Sequence, residues 1–223
     1  SPGARIVSVD ISGESLEAAK TAAGKAGIAN VEFVQADIFS LPFEPGSFDH
    51  VFLCFVLEHL PQPAEVLRAL REVLKPRGTI TAIEGDHGSA FFHPESEAAH
   101  KAIRALVELQ RSAGGNADIG RELYPLLVHA GFDAVHVSPR MVYVDGSRPE
   151  LLDGFTRRTF TAMIEGVREP AIKAGLMAPE DFDAGVRDLY RTAGADGVFC
   201  YTFFKGTDLK PGKSGAQSAR RSP

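Results

Sequence analysis

The chain has few cysteines, no long apolar run and no strong charge of one sign, and each shortage excludes a class of protein. Two cysteines in 223 residues are too few for a disulfide scaffold. The longest fully apolar run, Val51–Leu57, is far shorter than the roughly 20 residues of a membrane-spanning helix. Lys plus Arg is 24 and Asp plus Glu is 29, a net charge of −5. This acidity argues against a broad nucleic-acid-binding surface.

The composition is that of a globular protein. Apolar residues make up 44% and charged residues 24%, which excludes disorder, and the length predicts one domain with a full core. Cys54 and Cys200 lie in apolar runs and are predicted to be reduced core thiols, with no metal-ligand spacing nearby. No apolar signal region follows the charge of Ser1–Arg5, so we expect a cytoplasmic location.

Strands and helices alternate in the first half. Strands are predicted at Ile6–Val9, Val31–Gln35, Phe48–Phe55 and Thr79–Glu84. The third is nearly continuous in apolar residues, as strands buried on both faces are. Helices begin after the N-cap Ser12 and at Pro63. This order predicts an α/β fold with a mostly parallel sheet, in which ligands bind beyond the carboxyl ends of the strands.

The second half is less regular. Helices are predicted from Ser96, over Asp118–Ala130 with a kink at Pro125, and over Pro149–Ala174 and Pro179–Ala193. Strands are predicted at Ala134–Ser138, extended by Met141–Val144, and at Val198–Phe204, one of them antiparallel. Residues 1–148 and 198–206 form the predicted core, 149–197 a helical lid insertion, and 207–223 a disordered tail.

Two carboxylates follow successive strands. Asp10 can accept hydrogen bonds from the hydroxyls of a ribose, although a strand-end acid can also simply stabilise a helix N-terminus. Asp37 can accept from the amino group of a planar base, although an Asx turn is its structural alternative. Together they are what an adenosine-shaped ligand needs.

An ordered set of motifs runs from Ile6 to about Gly88. It comprises Ala36-Asp37, Leu41-Pro42-Phe43, Ser47-Phe48-Asp49, Leu57-Glu58-His59-Leu60 and Leu70-Arg71-Glu72-Val73-Leu74-Lys75-Pro76-Arg77-Gly78. This set resembles the class I S-adenosylmethionine-dependent methyltransferases, most closely their small-molecule-type methyltransferase domain group. The resemblance implies a Rossmann-like fold, S-adenosyl-L-methionine as cofactor and a small-molecule methyl acceptor.

The resemblance also implies residue roles on the cofactor side. Asp10 would bind the ribose and Asp37 the adenine amino group. The other residues implied to line the cofactor are apolar or nearly so: Ile11, Ile38, Phe39, Cys54, Phe55 and Val56.

Catalytic and substrate residues are expected after the third and fourth strands. His59, in the acid–histidine pair with Glu58, faces the reaction centre or holds the following loop. Asp86 and His87 orient or deprotonate the acceptor, or belong to an ordinary polar loop. Further substrate-site candidates are Glu84, Tyr124, Arg140 and Tyr143. The insertion suits a lid over a pocket or a homodimer face.

Two other functions stay open. A nucleotide-dependent oxidoreductase also places an acid at the end of its second strand, and a degenerate domain would bind nothing and act through its surface.

The sequence departs from the family at its start, because the family's first strand and glycine-rich turn do not precede Ile6. That strand lies centrally in the family's sheet, and without it the domain would be incomplete. We therefore expect this chain to be the truncated remainder of a longer protein. Reading the gene upstream should show an in-frame strand and glycine-rich turn. A stop codon directly before Ser1 would contradict this expectation.

Overall fold

The computed structural model describes residues 3–212. Within that range the strands form two separate sheets, one with two strands and one with four. The first sheet pairs β1 (Ile6–Asp10) with β2 (Val31–Gln35) in parallel, with α1 (Gly13–Lys25) between them. Ser12 caps α1 by accepting a hydrogen bond from the Ser15 amide at 3.2 Å, as predicted.

The second sheet has the order β3-β4-β6-β5. Its elements in chain order are β3 (Phe48–Cys54), α2 (Pro63–Val73), β4 (Leu74–His93), α3 (Glu97–Ser112), α4 (Leu123–His129), β5 (Asp133–Asp145) and β6 (Val198–Leu209). β3 and β4 are parallel, whereas β6 is antiparallel to both β4 and β5. The α/β class and the single antiparallel strand are therefore confirmed.

β4 is much longer than predicted. It begins at Leu74, includes the Lys75–Gly78 stretch expected to end a helix, and continues through the Glu84–Gly88 stretch expected to be a loop. The cause is tertiary, because β6 pairs with β4 from Thr79 to His93 with one register shift between Asp86 and Phe91. A long-range ladder of this kind leaves no local signal in the sequence.

The insertion is not one long helix over Pro149–Ala174. It consists of α5 (Pro149–Leu151), a π-helical segment (Leu152–Thr161), α6 (Ala162–Gly166), α7 (Arg168–Lys173) and α8 (Pro179–Arg191). The chain turns between α6 and α7, where Val167 leaves helical geometry, and this places Pro170 in the first turn of α7. Pro125 likewise lies in the first turn of α4 and does not kink a longer helix, because a 3₁₀ turn at Ile119–Glu122 precedes it.

The predicted start of the tail at residue 207 is wrong. Thr207, Asp208 and Leu209 belong to β6 and pair with β4. Lys210 continues the ladder by donating from its amide to the Gly78 carbonyl at 2.8 Å. Residues 213–223 of the predicted tail lie outside the described residues.

β1 and β3 each have one edge without a ladder partner within residues 3–212. Within residues 3–212, Phe52 of β3 is 59% exposed and Cys54 is exposed, so the predicted burial of β3 on both faces and of the Cys54 thiol is not observed there. Both residues lie on the strand whose outer edge faces the position of the expected additional strand. Cys200, in β6, is a buried free thiol as predicted. The expected strand between β1 and β3 stays a prediction.

The second sheet has an apolar cluster on each face. On one face Leu67 of α2 and Leu123 and Leu127 of α4 pack with Ile80 of β4. On the other face Ile103 of α3, Phe160 of the π-helical segment and Leu189 of α8 pack with Phe199 of β6. The insertion is thus built into the core of the second face.

The contact between α3 and α8 depends on one serine. Ser96 caps α3 by accepting from the Ala99 amide at 3.1 Å, and its hydroxyl donates to Asp188 of α8. Because Ser96→Ala removes both bonds, we expect the free energy of unfolding to fall by about 1–2 kcal/mol in urea denaturation. Ser112→Ala, at the exposed end of α3, is the matched control. An equal effect of both substitutions would contradict the assigned role.

Candidate active site at the carboxyl ends of the strands

The paired strands β1 and β2 bring two carboxylates to one edge of the first sheet. Asp10 lies opposite Gln35 in the ladder, and Asp37 follows two residues later. Asp10 Oδ1 accepts from the Ser12 amide at 2.8 Å, and Asp37 Oδ1 accepts from the Phe39 amide at 2.9 Å. Each carboxylate is therefore held by a local turn through one oxygen, and its Oδ2 is available to a ligand.

Apolar side chains flank these carboxylates. Ile11 is 69% and Phe39 is 41% exposed, whereas Ile38 packs against the core beneath. Exposed apolar side chains beside hydrogen-bond acceptors suit a flat base with polar edges. The residues present therefore fit the nucleoside half of the implied cofactor.

The chain turns sharply after β3, toward β6. Phe55 has a positive φ of 54°, and its amide donates to the Ile83 carbonyl at 2.9 Å. The ring of Phe55 lies 5.4 Å from that of Phe203 on β6. Cys54 and Val56 flank it, Cys54 exposed and Val56 half-buried. This turn brings the predicted cofactor residues of β3 beside the aromatic side chains of β6.

Glu84 fixes the segment after this turn. Its Oε1 accepts from the amides of Val56 and Leu57 at 3.1 and 3.0 Å, and its Oε2 accepts from the Glu58 amide at 3.3 Å. Burial raises the pKa of Glu84 to about 7, against the opposing effect of the backbone hydrogen bonds. Glu84 was predicted to bind substrate, and in this structure it organises the loop that carries Glu58.

Glu58 and His59 contact each other but differ in burial. Glu58 Oε1 lies 3.3 Å from His59 Nε2, and the His59 side chain is largely exposed. Glu58 is only 7% exposed, and its Oε2 is buried without a hydrogen-bond partner. Desolvation raises the pKa of Glu58 to about 7. The inward-facing member of the pair is therefore the acid, and the predicted orientation of His59 toward the reaction centre does not match this geometry.

Asp86 forms a salt bridge with an arginine through both of its oxygens. Arg121 donates from Nε to Asp86 Oδ2 at 3.0 Å and from Nη2 to Asp86 Oδ1. Asp118 lies on the other side of this pair and accepts from the Gly88 amide at 2.7 Å. Since both oxygens of Asp86 are engaged, this geometry favours a positioning role over the predicted proton transfer.

His87 and Tyr201 form a buried pair. His87 Nδ1 lies 2.9 Å from the Ala117 carbonyl and 3.2 Å from Tyr201 Oη. A carbonyl only accepts, so Nδ1 carries the hydrogen and Nε2 is an acceptor. Nε2 is buried without a partner, and desolvation lowers the pKa of His87. His87 is thus a neutral imidazole with one free lone pair.

Aromatic rings cover this face of β6. The alternate residues Phe199, Tyr201 and Phe203 form a row along the strand. Phe155 lies about 6 Å from all three rings, and Phe160 lies 4.7 Å from Phe199 and 5.4 Å from Tyr201. Both come from the π-helical segment, whose wider turn aligns residues five apart. Such segments often occur at functional sites.

The remaining predicted substrate residues are not brought together. Tyr124 is exposed on α4. Arg140 pairs with Phe203 and Tyr143 with Cys200, so the alternation of the strand puts Arg140 and Tyr143 on opposite faces of the sheet. Conversely, the sequence reasoning did not single out Tyr201 or Arg121 for the site. No local motif marks them, because both reach it through long-range contacts.

Residues 3–212 contain neither a candidate metal site nor a candidate membrane-spanning helix. No group of three or more His, Cys, Asp or Glu side chains in that range could hold a metal ion. No helix there has the length and apolar character to cross a bilayer.

The sequence is similar to methyltransferase sequences. Residues 1–82 match the family model described as "Methyltransferase domain". A demethylmenaquinone methyltransferase from Lactococcus lactis is 31% identical over 147 residues, which cover 60% of this chain and 58% of that protein. An uncharacterized 37.1 kDa protein of a Streptomyces fradiae transposon is 32% identical over 168 residues, 74% of this chain and 47% of that protein. The chain thus spans about half the length of these relatives.

Solved structures share the fold. The YcgJ protein from Bacillus subtilis has a TM-score of 0.59 at 17% identity, covering 95% of this chain and 85% of that one. A phosphoethanolamine N-methyltransferase from Haemonchus contortus, solved with S-adenosylhomocysteine, has a TM-score of 0.53 at 20% identity, covering 94% of this chain and 44% of that one.

The fold is a Rossmann-like α/β fold of the methyltransferase type. Residues 1–82 are similar to the methyltransferase domain family, in agreement with the resemblance stated from the motifs. The oxidoreductase alternative gains no support from these relatives.

The buried Glu58 predicts an unusual pH dependence of stability. Its folded-state pKa is raised, so the folded state favours the neutral acid, and stability falls as pH rises from the unfolded value of 4.5 through about 7. We expect Glu58→Gln to be more stable than the wild type above pH 7 by on the order of 2 kcal/mol, and similar to it near pH 4. Urea denaturation at both pH values measures this. A destabilised variant at the higher pH would contradict the assignment.

Proposed function

We propose that this chain forms the core of an S-adenosylmethionine-dependent methyltransferase acting on a small-molecule acceptor. The observation that carries the proposal is the pair of strand-end carboxylates, Asp10 and Asp37, flanked by exposed apolar side chains. The match of residues 1–82 to the methyltransferase domain family model supports it.

The residues of the first sheet would hold the cofactor. Asp10 would accept from the ribose hydroxyls and Asp37 from the adenine amino group, while Ile11 and Phe39 would cover the base. The cofactor, when bound, supplies a methyl group already activated on a sulfonium sulfur. Cys54 and Phe55, at the turn after β3, would lie toward the reactive end.

The residues of the second sheet would hold the acceptor. Glu58 Oε2 and His87 Nε2 are buried acceptor atoms without partners, which a polar group of a ligand would satisfy. The aromatic row of β6 would exclude water and orient a planar molecule. The Lactococcus lactis relative is named as a demethylmenaquinone methyltransferase, so ring compounds of the quinone type are the first acceptors to test.

Other expectations stay predictions. These are the homodimer, the lid motion of the insertion, the cytoplasmic location and the absence of a nucleic-acid partner. The chain would act as a degenerate domain only if it failed to bind the cofactor once any upstream strand was supplied.

Cofactor binding gives the direct test. Calorimetry of the protein, extended by any upstream sequence of its gene, should show binding of S-adenosylhomocysteine and no binding of NAD. Asp10→Asn should weaken binding about tenfold or more, because it removes a charged acceptor from the ribose. Glu14→Gln, on the exposed first turn of α1, should have little effect. Preference for NAD, or equal effects of both substitutions, would overturn the proposal.

A further inference from the structure

The acid–histidine pair after β3 presents its acid, not its histidine, to the interior. Glu58 Oε1 contacts the exposed His59, whereas Glu58 Oε2 is buried and has no partner. The backbone around it is rigidly held, since the Glu58 carbonyl accepts from the Asn116 amide at 2.8 Å and from Gln110 Nε2 at 2.9 Å. The inward direction of Oε2 is therefore built into the fold.

Gly85 creates space for Glu58 beside Tyr201. A side-chain carbon at Gly85 would lie 2.3 Å from Tyr201 Oη and 3.5 Å from Glu58 Oε2. Only a glycine permits the hydroxyl to approach the backbone of β4 this closely. Tyr201 Oη and Glu58 Oε2 thus lie on the same side of Gly85. Tyr201 Oη also lies 3.2 Å from His87 Nδ1.

Aromatic rings extend from this point toward solvent. Tyr201 and Phe203 lie 5.1 Å apart, and Phe203 lies 5.4 Å from Phe55. Phe55 is 39% exposed, so the row reaches the protein surface next to the turn that carries Glu58. An incoming planar ring can contact the exposed end of this row at Phe55, next to the turn that carries Glu58.

We propose that Glu58 is the proton-accepting catalytic residue, and that the methyl acceptor is an aromatic ring carrying a hydroxyl group. The assignment rests on the proposed function and deepens it. It replaces His59, which faces outward, and Asp86, whose oxygens are both held by Arg121.

Proton transfer precedes methyl transfer. The hydroxyl proton moves from the acceptor oxygen to Glu58 Oε2, and the O–H electron pair stays on the acceptor. That charge lies on the oxygen or, by conjugation, on a ring carbon, so either atom can take the methyl group while the sulfonium sulfur keeps the electron pair of the broken C–S bond. After methylation at carbon, that carbon loses its hydrogen as a proton and the oxygen regains one, which restores the aromatic ring. The proton then reaches solvent through His59.

Titratable groups from several elements face Glu58 or lie near it. Cys54 of β3, Glu84 of β4 and Tyr201 of β6 face it, together with the adjacent His59. His87 and Asp86 of β4 and Asp118 lie behind Tyr201. Arg121 is the cation on that side and is paired with Asp86. The charge of Arg121 is thus balanced by Asp86. Burial raises the pKa of Glu58 to about 7.

The test uses 1-naphthol as the acceptor probe. Its binding to the protein saturated with S-adenosylhomocysteine is measured by calorimetry at about pH 6 and about pH 8. Because the ionised fraction of Glu58 rises about tenfold over this range, we expect naphthol affinity to rise about tenfold too. Glu58→Gln should bind weakly and without this pH dependence, with its fold verified by urea denaturation. Glu65→Gln, an exposed glutamate of α2, should behave as the wild type.

Three outcomes would overturn the assignment. They are a flat pH response of the wild type, full naphthol affinity in Glu58→Gln, and loss of the pH response in His59→Asn with its retention in Glu58→Gln. Failure of naphthol to bind a protein that does bind S-adenosylhomocysteine would overturn the acceptor class. Failure to bind S-adenosylhomocysteine would overturn the proposed function itself. With radiolabelled S-adenosylmethionine, the product shows whether oxygen or carbon is methylated.

Discussion

The antiparallel pairing of β6 with β4 is the constraint on which the rest of the site depends. It carries β4 beyond Glu84, where the sequence indicates a loop, and shifts register between Asp86 and Phe91. Because alternate residues of β6 face the same side, the pairing aligns Tyr201 with Phe203 and puts the Tyr201 hydroxyl against Gly85. Without this ladder, Glu58 would have no tyrosine beside it.

Burial of the two acids Glu84 and Glu58 lowers the stability of the fold, and hydrogen bonds compensate the two to different degrees. Glu84 accepts from three backbone amides, so its burial orders the turn after β3. Glu58 Oε2 has no such compensation. A lone buried carboxylate is unfavourable by several kcal/mol and tends to take up a proton instead. Retaining such a group beside an aromatic row is the pattern of a site shaped for chemistry more than for stability.

Local signals accounted for much of the first half of the molecule. Periodicity and capping residues predicted β1, α1, β2 and α2 to within a few residues, and the strand-end positions of Asp10 and Asp37 followed directly. The same reasoning predicted burial of β3 on both faces, whereas Phe52 of β3 is exposed within residues 3–212. It also failed for the insertion, because helical spacing does not distinguish one α-helix from a π-helical segment between short helices.

The sequence by itself determined the class of the fold, the cofactor-type carboxylates and the resemblance to the methyltransferase family, because these depend on residues close together in the chain. Only the tertiary structure decided which member of the Glu58–His59 pair faces inward, that Asp86 is held by Arg121, and that Tyr201 and Phe160 belong beside His87. The physical reason is that orientation and burial arise from contacts between residues far apart in sequence. Those contacts leave no periodic pattern to read.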